Sequence, residues 1–394
     1  MASKQDYLDL LAEYELSEKD VSPIFRPELW SDKTAASIIS LRNRLRPDIF
    51  SQYDDMRRAI TSPSPFAFLD FILKIGRQHE AEKRFEQMES GDANLVISAI
   101  AWDLKRRLNV TPDVPVYHGV FPTRVFNAQA IKHGPGYLVL VESATLEIIE
   151  IVATLATLPS SLQSTVIHGV TDICRSYHQR LGHKVSDRYS PRPVEEYQRE
   201  LSVSAQTYEA SVALTSATEE FAIAHEWGHI VLGHALIGTT CAFDSWESSG
   251  HLDDETRTNA REDEFAADLW SIGMLMESAK TPERFQRTVE GAFLFLSLAR
   301  QFEGYEDADR LKIGTHPTAT ERLWMISRLA NRYIRYKRSY LQSAAAGTVR
   351  AILDGCHKSE FGRPPPDMAS SEPTLSALYT KFIPLIFPYD KNLW

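Results

Sequence analysis

The stretch Glu219–Leu236 reads EEFAIAHEWGHIVLGHAL and contains no proline. Its apolar residues Phe221, Ile223, Ala224, Ile230, Val231 and Leu232 predict a helix. On a helix, residues i and i+4 lie about 40° apart, one turn above each other. His225 and His229 therefore aim their imidazoles at one point, with Glu226 beside them. Two nitrogen ligands so placed suit zinc, and the adjacent glutamate suits removal of a proton from water. The competing reading of this H-E-x-x-H pattern is an ordinary buried helix that happens to carry two histidines and a glutamate.

A catalytic zinc needs a third protein ligand and one open position. The extended pattern H-E-x-x-H-x-x-G-x-x-H fails here, because Gly233 and His234 are out of register with it. His234 lies five residues past His229, about 140° around a continuing helix, and is expected to point away as a helix-end histidine. A glutamate from a second helix is the other solution. Arg261–Trp270 reads REDEFAADLW and supplies one. Glu264 and Asp268 share a face at i,i+4, and the small Ala266 and Ala267 allow close packing. Glu264 is thus the expected third ligand. Asp268, one turn on, is placed to hydrogen-bond a ligand histidine. Glu262 and Asp263 read as an acidic, solvated helix start.

HEWGHIVLGH followed by EFAAD resembles the gluzincin metallopeptidases of the HtpX and CAAX-prenyl-endopeptidase type. Downstream, Thr315–Arg322 (THPTATER) is similar to that family's T-H-P-x-x-x-x-R box. Upstream, Phe126–Ala130 (FNAQA) and Tyr137–Val141 (YLVLV) resemble its N-A-x-A hairpin. The resemblance runs from about Pro115 to Arg328. It implies that Asn127 and Ala128 lie on an edge strand that pairs with an extended peptide substrate through main-chain hydrogen bonds. It implies also that His316 and Arg322 reach the cleft and stabilise an oxyanion. Read without it, His316 is a loop residue before a helix-starting proline and Arg322 a surface arginine.

The chain departs from that family in two respects. Its members are membrane proteins, whereas no uninterrupted apolar run here approaches the roughly 20 residues of a span. Leu146–Leu158 and Gly291–Ala299 are too short, and the first carries Glu147 and Glu150. The second departure is an apparent insertion, residues 160–218, between hairpin and zinc helix.

Composition narrows the rest. The 394 residues are 43% hydrophobic and 24% charged, ordinary for a globular protein. A net charge of −10 without a basic cluster argues against nucleic-acid binding. Cys174, Cys241 and Cys356 are odd in number and far apart, which suits a reducing, cytoplasmic location. The first residues, MASKQDYLDLLAEYEL, lack the apolar core of a signal peptide. Residues 1–95 read as a helical region, with Ala36–Leu45 as one helix, a break at Pro63 and Pro65, and the apolar Phe66–Ile75. His118 and His133 read as loop histidines. Val194–Thr218 reads as helical and continuous with the zinc helix. Asp244–Thr258 reads as a polar loop, and 362–367 (GRPPPD) as a linker. The tail Leu375–Trp394 is apolar and aromatic, and is expected to dock on the body or on a partner.

The expected fold class is α+β, mostly α: a zincin-like core with a small antiparallel sheet, a helical N-terminal region and a helical insertion. The expected divisions are 1–95, a core at 96–336 containing the 160–218 insertion, and a C-terminal part at 337–394. The expected activity is that of a soluble, regulated zinc endopeptidase acting on protein or peptide substrates. It carries one zinc on His225, His229 and Glu264, with Glu226 as general base. The rival expectation is a catalytically silent, partner-binding protein with a structural zinc.

Overall fold

The computed structural model describes residues 5–6, 8–9, 93–108, 114–121, 126–133, 135–158, 163–180, 205–234, 254–303, 317–336, 354 and 372–386. The readings of residues 10–92, of 244–253 within the polar loop, of the linker 362–367 and of His316 lie outside the described residues. Asp254–Thr258, read as the rest of that loop, is not loop but the first turn and more of a helix.

Helix α1 (Ala93–Leu108) leads into strand β1 (Val116–Phe121), followed by β2 (Ala128–His133) and β3 (Gly136–Glu142). The strand order is β1-β3-β2, with β2 antiparallel and β1 parallel to β3. The fold is therefore mostly helical with a small sheet, as the sequence implies. The sheet is mixed, however: only the β2–β3 hairpin has the expected antiparallel pairing. Tight turns reveal hairpins in a sequence, but nothing local marks the parallel neighbour across β3. Central β3 has covered faces, with Leu138, Val139, Leu140 and Val141 at most 1% exposed. Its run YLVLV is apolar throughout rather than alternating for that reason.

Six of the remaining seven described helices enclose or extend this core. They are α2 (Ser143–Ala156), α3 (Gln163–Arg180), α4 (Ala205–Val231), α5 (Asp254–Ser278), α6 (Pro282–Glu303) and α7 (Ala319–Tyr336). Helix α4 is the axis, packed by α2, α5, α6 and β2. Every residue from Ala217 to Ile230 is buried. A helix covered on all sides has no polar stripe, so the weak amphipathicity of this stretch follows from its position. Its polar side chains are then obliged to find partners. Thr218 Oγ1 donates to the Leu214 carbonyl at 2.8 Å. Glu220 accepts from Arg107 of α1 at 2.7 Å and from Arg284 of α6 at 2.5 Å, tying three helices together.

The last described helix, α8 (Glu372–Ile386), holds residues 375–386 of the apolar tail, and 387–394 lie outside the described residues. It buries Leu375, Tyr379, Phe382 and Ile383 against α5 and α7. The Arg328 and Arg332 guanidinium groups lie 5.0 and 5.1 Å from the Tyr379 ring centre. Lys381 pairs with Glu262 of α5. No described helix is long and apolar enough to cross a membrane.

One buried acid makes the core sensitive to pH. Burial lifts the Glu219 carboxyl from 4.5 to about 8, with the charges of Glu150 and Glu220 adding to it. A carboxyl raised on folding contributes stability at low pH that is lost as pH rises through its folded value. The Glu219→Gln protein should therefore gain in melting temperature over wild type between pH 5 and pH 8.5. A difference that stays constant across that range contradicts this assignment.

Candidate metal centre

The centre is built where α4 and α5 press together. At Gly228 an ideal Cβ would lie 3.0 Å from both Cα and O of Ala267. Glycine thus lets the α5 backbone approach at the level of the two histidines. Glu264 and Asp268 flank Ala267 in α5, so the same contact delivers both carboxylates to α4.

His225 Nε2 lies 3.2 Å from His229 Nε2 and 3.3 Å from Glu264 Oε2, and His229 Nε2 lies 3.3 Å from Glu264 Oε1. Ligand atoms around a tetrahedral zinc, at bonds of about 2.0–2.1 Å, lie roughly 3.3 Å apart. All three residues are buried, and among the described residues they form the one group with metal-ligand spacing. Their donor set, two imidazole nitrogens and a carboxylate, fits zinc. Glu226, about 60° further around the helix than His229, is 6% exposed and has no hydrogen bond or ion pair among the described residues.

Behind this group, His225 Nδ1 donates to Asp268 Oδ1 at 2.9 Å, which turns Nε2 to face the cluster. Asp268 is wholly buried and accepts a two-pronged bond from Arg322, Nε to Oδ2 at 2.7 Å and Nη2 to Oδ1 at 2.8 Å. Burial works to raise the Asp268 carboxyl, but Arg322 and His225 outweigh it and hold it below the usual range. Burial works to depress His225, yet the Asp268 carboxylate, aided by hydrogen bonds with Asp268 and Glu264, holds the ring up at about 9. A metal at Nε2 would displace that proton.

Arg322 is placed by the start of α7. Thr318 and Glu321 form a reciprocal capping box: Thr318 N–H donates to Glu321 Oε2 at 2.7 Å, and Glu321 N–H to Thr318 Oγ1 at 3.3 Å. Arg261 of α5 also donates to Glu321 at 2.9 Å, locking α7 to α5.

Three histidines sit differently from the sequence reading. His133 is not a loop residue but ends β2, paired with Gly136 of β3. His234 does not continue the helix. Gly233 takes φ 69°, its N–H reaches the Ile230 carbonyl at 3.2 Å, and His234 N–H reaches the His229 carbonyl at 3.0 Å. This Schellman ending reverses the chain and sets His234 Nδ1 2.9 Å from His229 Nδ1. Burial, with the nearby His229, pushes His234 down to about 4. His118 is not a loop residue but belongs to β1, where its Nε2 accepts from Trp227 Nε1 at 2.8 Å. Burial first, then Lys105, pushes His118 down to about 3, consistent with a neutral acceptor. Gly233 as a helix stop was the one available signal for His234; nothing in sequence marks the His118–Trp227 pair.

Ala128 begins β2, an edge of the three-stranded sheet beside α4, and Asn127 immediately precedes it. Asn127 N–H donates to Thr145 Oγ1 at 2.6 Å, and its carbonyl accepts from Glu142 N–H at 3.0 Å. That bond makes Asn127 and Glu142 a hydrogen-bonded pair, so Ala128 and Ala130 turn their main-chain groups away from β3. The outward-facing positions are thus Ala128 and Ala130, whereas Asn127 is tied inward.

The model of the Peptidase U49 family matches residues 165–334, from α3 through α7, and supports a peptidase. The narrower resemblance to HtpX and CAAX-type enzymes is not carried by that match. The matched stretch holds His225, Glu226, His229, Glu264, Asp268 and Arg322, and takes in most of the segment set apart as an insertion. No curated protein and no solved structure matches the chain.

If the Gly228–Ala267 contact sets the ligand geometry, Gly228→Ala must push α5 back by tenths of an ångström. Affinity for zinc, measured by chelator competition, should fall by roughly 10-fold or more, the scale for lost ligand support. An unchanged affinity contradicts this role.

Proposed function

We propose that the chain is a zinc-dependent endopeptidase in which His225 Nε2, His229 Nε2 and Glu264 hold the metal. The observation that carries this reading is the spacing of 3.2–3.3 Å among three buried donors on two helices, inside the stretch matched by a peptidase family. When bound, zinc would supply Lewis acidity that polarises a carbonyl and brings the pKa of water towards about 7.

The chain's own residues account for the remaining steps. Glu226 takes the proton of the attacking water and passes it to the leaving nitrogen. Its carboxylate is buried beside the ligands and has no partner among the described residues, which leaves it available for that work. Ala128 and Ala130 offer outward main-chain groups to an extended peptide, giving affinity with little dependence on substrate sequence. Arg322 spends Nε and Nη2 on Asp268, and its Nη1 lies 3.6 Å from Glu264. We therefore assign Arg322 to holding the ligands, and the oxyanion contact to His316, which the family resemblance puts at the cleft. The alternative of a structural zinc asks for four protein ligands, and among the described residues the group has three. The scattered cysteines Cys174, Cys241 and Cys356 fit the reducing, cytoplasmic setting we propose.

The test is Glu226→Gln. Cleavage of an unfolded protein such as casein should fall by about 10²–10⁴-fold, with zinc content as in wild type. Undiminished cleavage, or loss of the metal with the mutation, contradicts the role given to Glu226.

A further inference from the structure

We propose that His234 is a positioning residue for His229, accepting a hydrogen bond at Nδ1 from His229 Nδ1–H and so holding the His229 ring with Nε2 turned to the metal. The inference rests on the zinc centre proposed above and adds a residue to its support. His229 Nε2 faces the cluster, 3.2 Å from His225 Nε2 and 3.3 Å from Glu264 Oε1. Its Nδ1 is on the opposite side of the ring, 2.9 Å from His234 Nδ1. Two ring nitrogens at that distance share one proton: one donates and the other accepts. Because Nε2 must offer a lone pair to the metal, the His229 proton belongs on Nδ1, and His234 is the acceptor.

The surroundings of His234 agree with that tautomer. An imidazole that accepts at Nδ1 carries its own proton on Nε2. His234 Nε2 faces Asp263 Oδ1 at 3.5 Å, a carboxylate suited to that N–H. The two ligand histidines are then supported alike but by different means. His225 leans directly on Asp268, which is buried and clamped by Arg322. His229 leans on a second imidazole, with its carboxylate one ring further out and 40% exposed. The device depends on the helix ending where it does. With Gly233 at φ 69°, the chain folds back and brings His234 over His229; on a continuing helix it would point elsewhere.

The test is zinc affinity of the full chain, by chelator competition, for wild type, His234→Leu and His234→Asn. Leucine removes the acceptor. Asparagine puts its Oδ1 close to the lost Nδ1 and restores an acceptor without the imidazole. The expected result is a roughly 10–100-fold weaker affinity for His234→Leu, most of it recovered in His234→Asn. Wild-type affinity in His234→Leu overturns the inference. So does an asparagine variant as weak as the leucine one, because the acceptor would then not be what His234 supplies. A wild-type protein that takes up no zinc overturns the metal-centre reading itself and this inference with it, a result distinguishable from the other two.

Discussion

The centre depends on the fork between Arg322 and Asp268. Asp268 has no exposed surface, and a carboxyl so placed without a cation would give up its charge. Two donors from one guanidinium satisfy both of its oxygens and keep it ionised. The ionised carboxylate can then accept from His225 and fix the direction of its ring. Breaking a buried pair of this kind typically costs about 3–5 kcal/mol, against a net domain stability of about 5–15 kcal/mol. One interaction thus joins α4, α5 and α7, and the geometry of the His225, His229 and Glu264 group rests on it. The capping box of Thr318 and Glu321 matters for the same reason, because it sets where Arg322 leaves α7.

The shared faces of His225 with His229 and of Glu264 with Asp268 were legible in the sequence because each pairing is a matter of helix period. A spacing of i,i+4 fixes a shared face wherever the helix goes, and two small residues between acids announce a close helix contact. The mostly helical class was legible for the same reason, and the apolarity of the tail foretold that residues such as Leu375, Tyr379, Phe382 and Ile383 would be covered.

What was not legible depends on where the chain turns or on which distant segment lies alongside. A helical wheel put His234 on the far side, since it assumes a helix that continues; Gly233 ends it and reverses the geometry. His118 meets Trp227 across 109 residues, and no local pattern foretells the contact. Strand period gives the faces of β1 but not its neighbour, so the parallel pairing with β3 was beyond it. Arg322 shows a third limit: its number was marked by resemblance, but its engagement with Asp268 follows from the packing of α7 against α5.

The account's central claim is that two histidines of α4 and one glutamate of α5 hold a metal. Elemental analysis of purified wild type beside Glu264→Ala, with zinc supplied and chelators avoided, tests it most directly. The account predicts about one zinc per chain in wild type, as a three-ligand site requires, and its loss in the variant. A wild type without zinc, or a variant that keeps its full share, would contradict it.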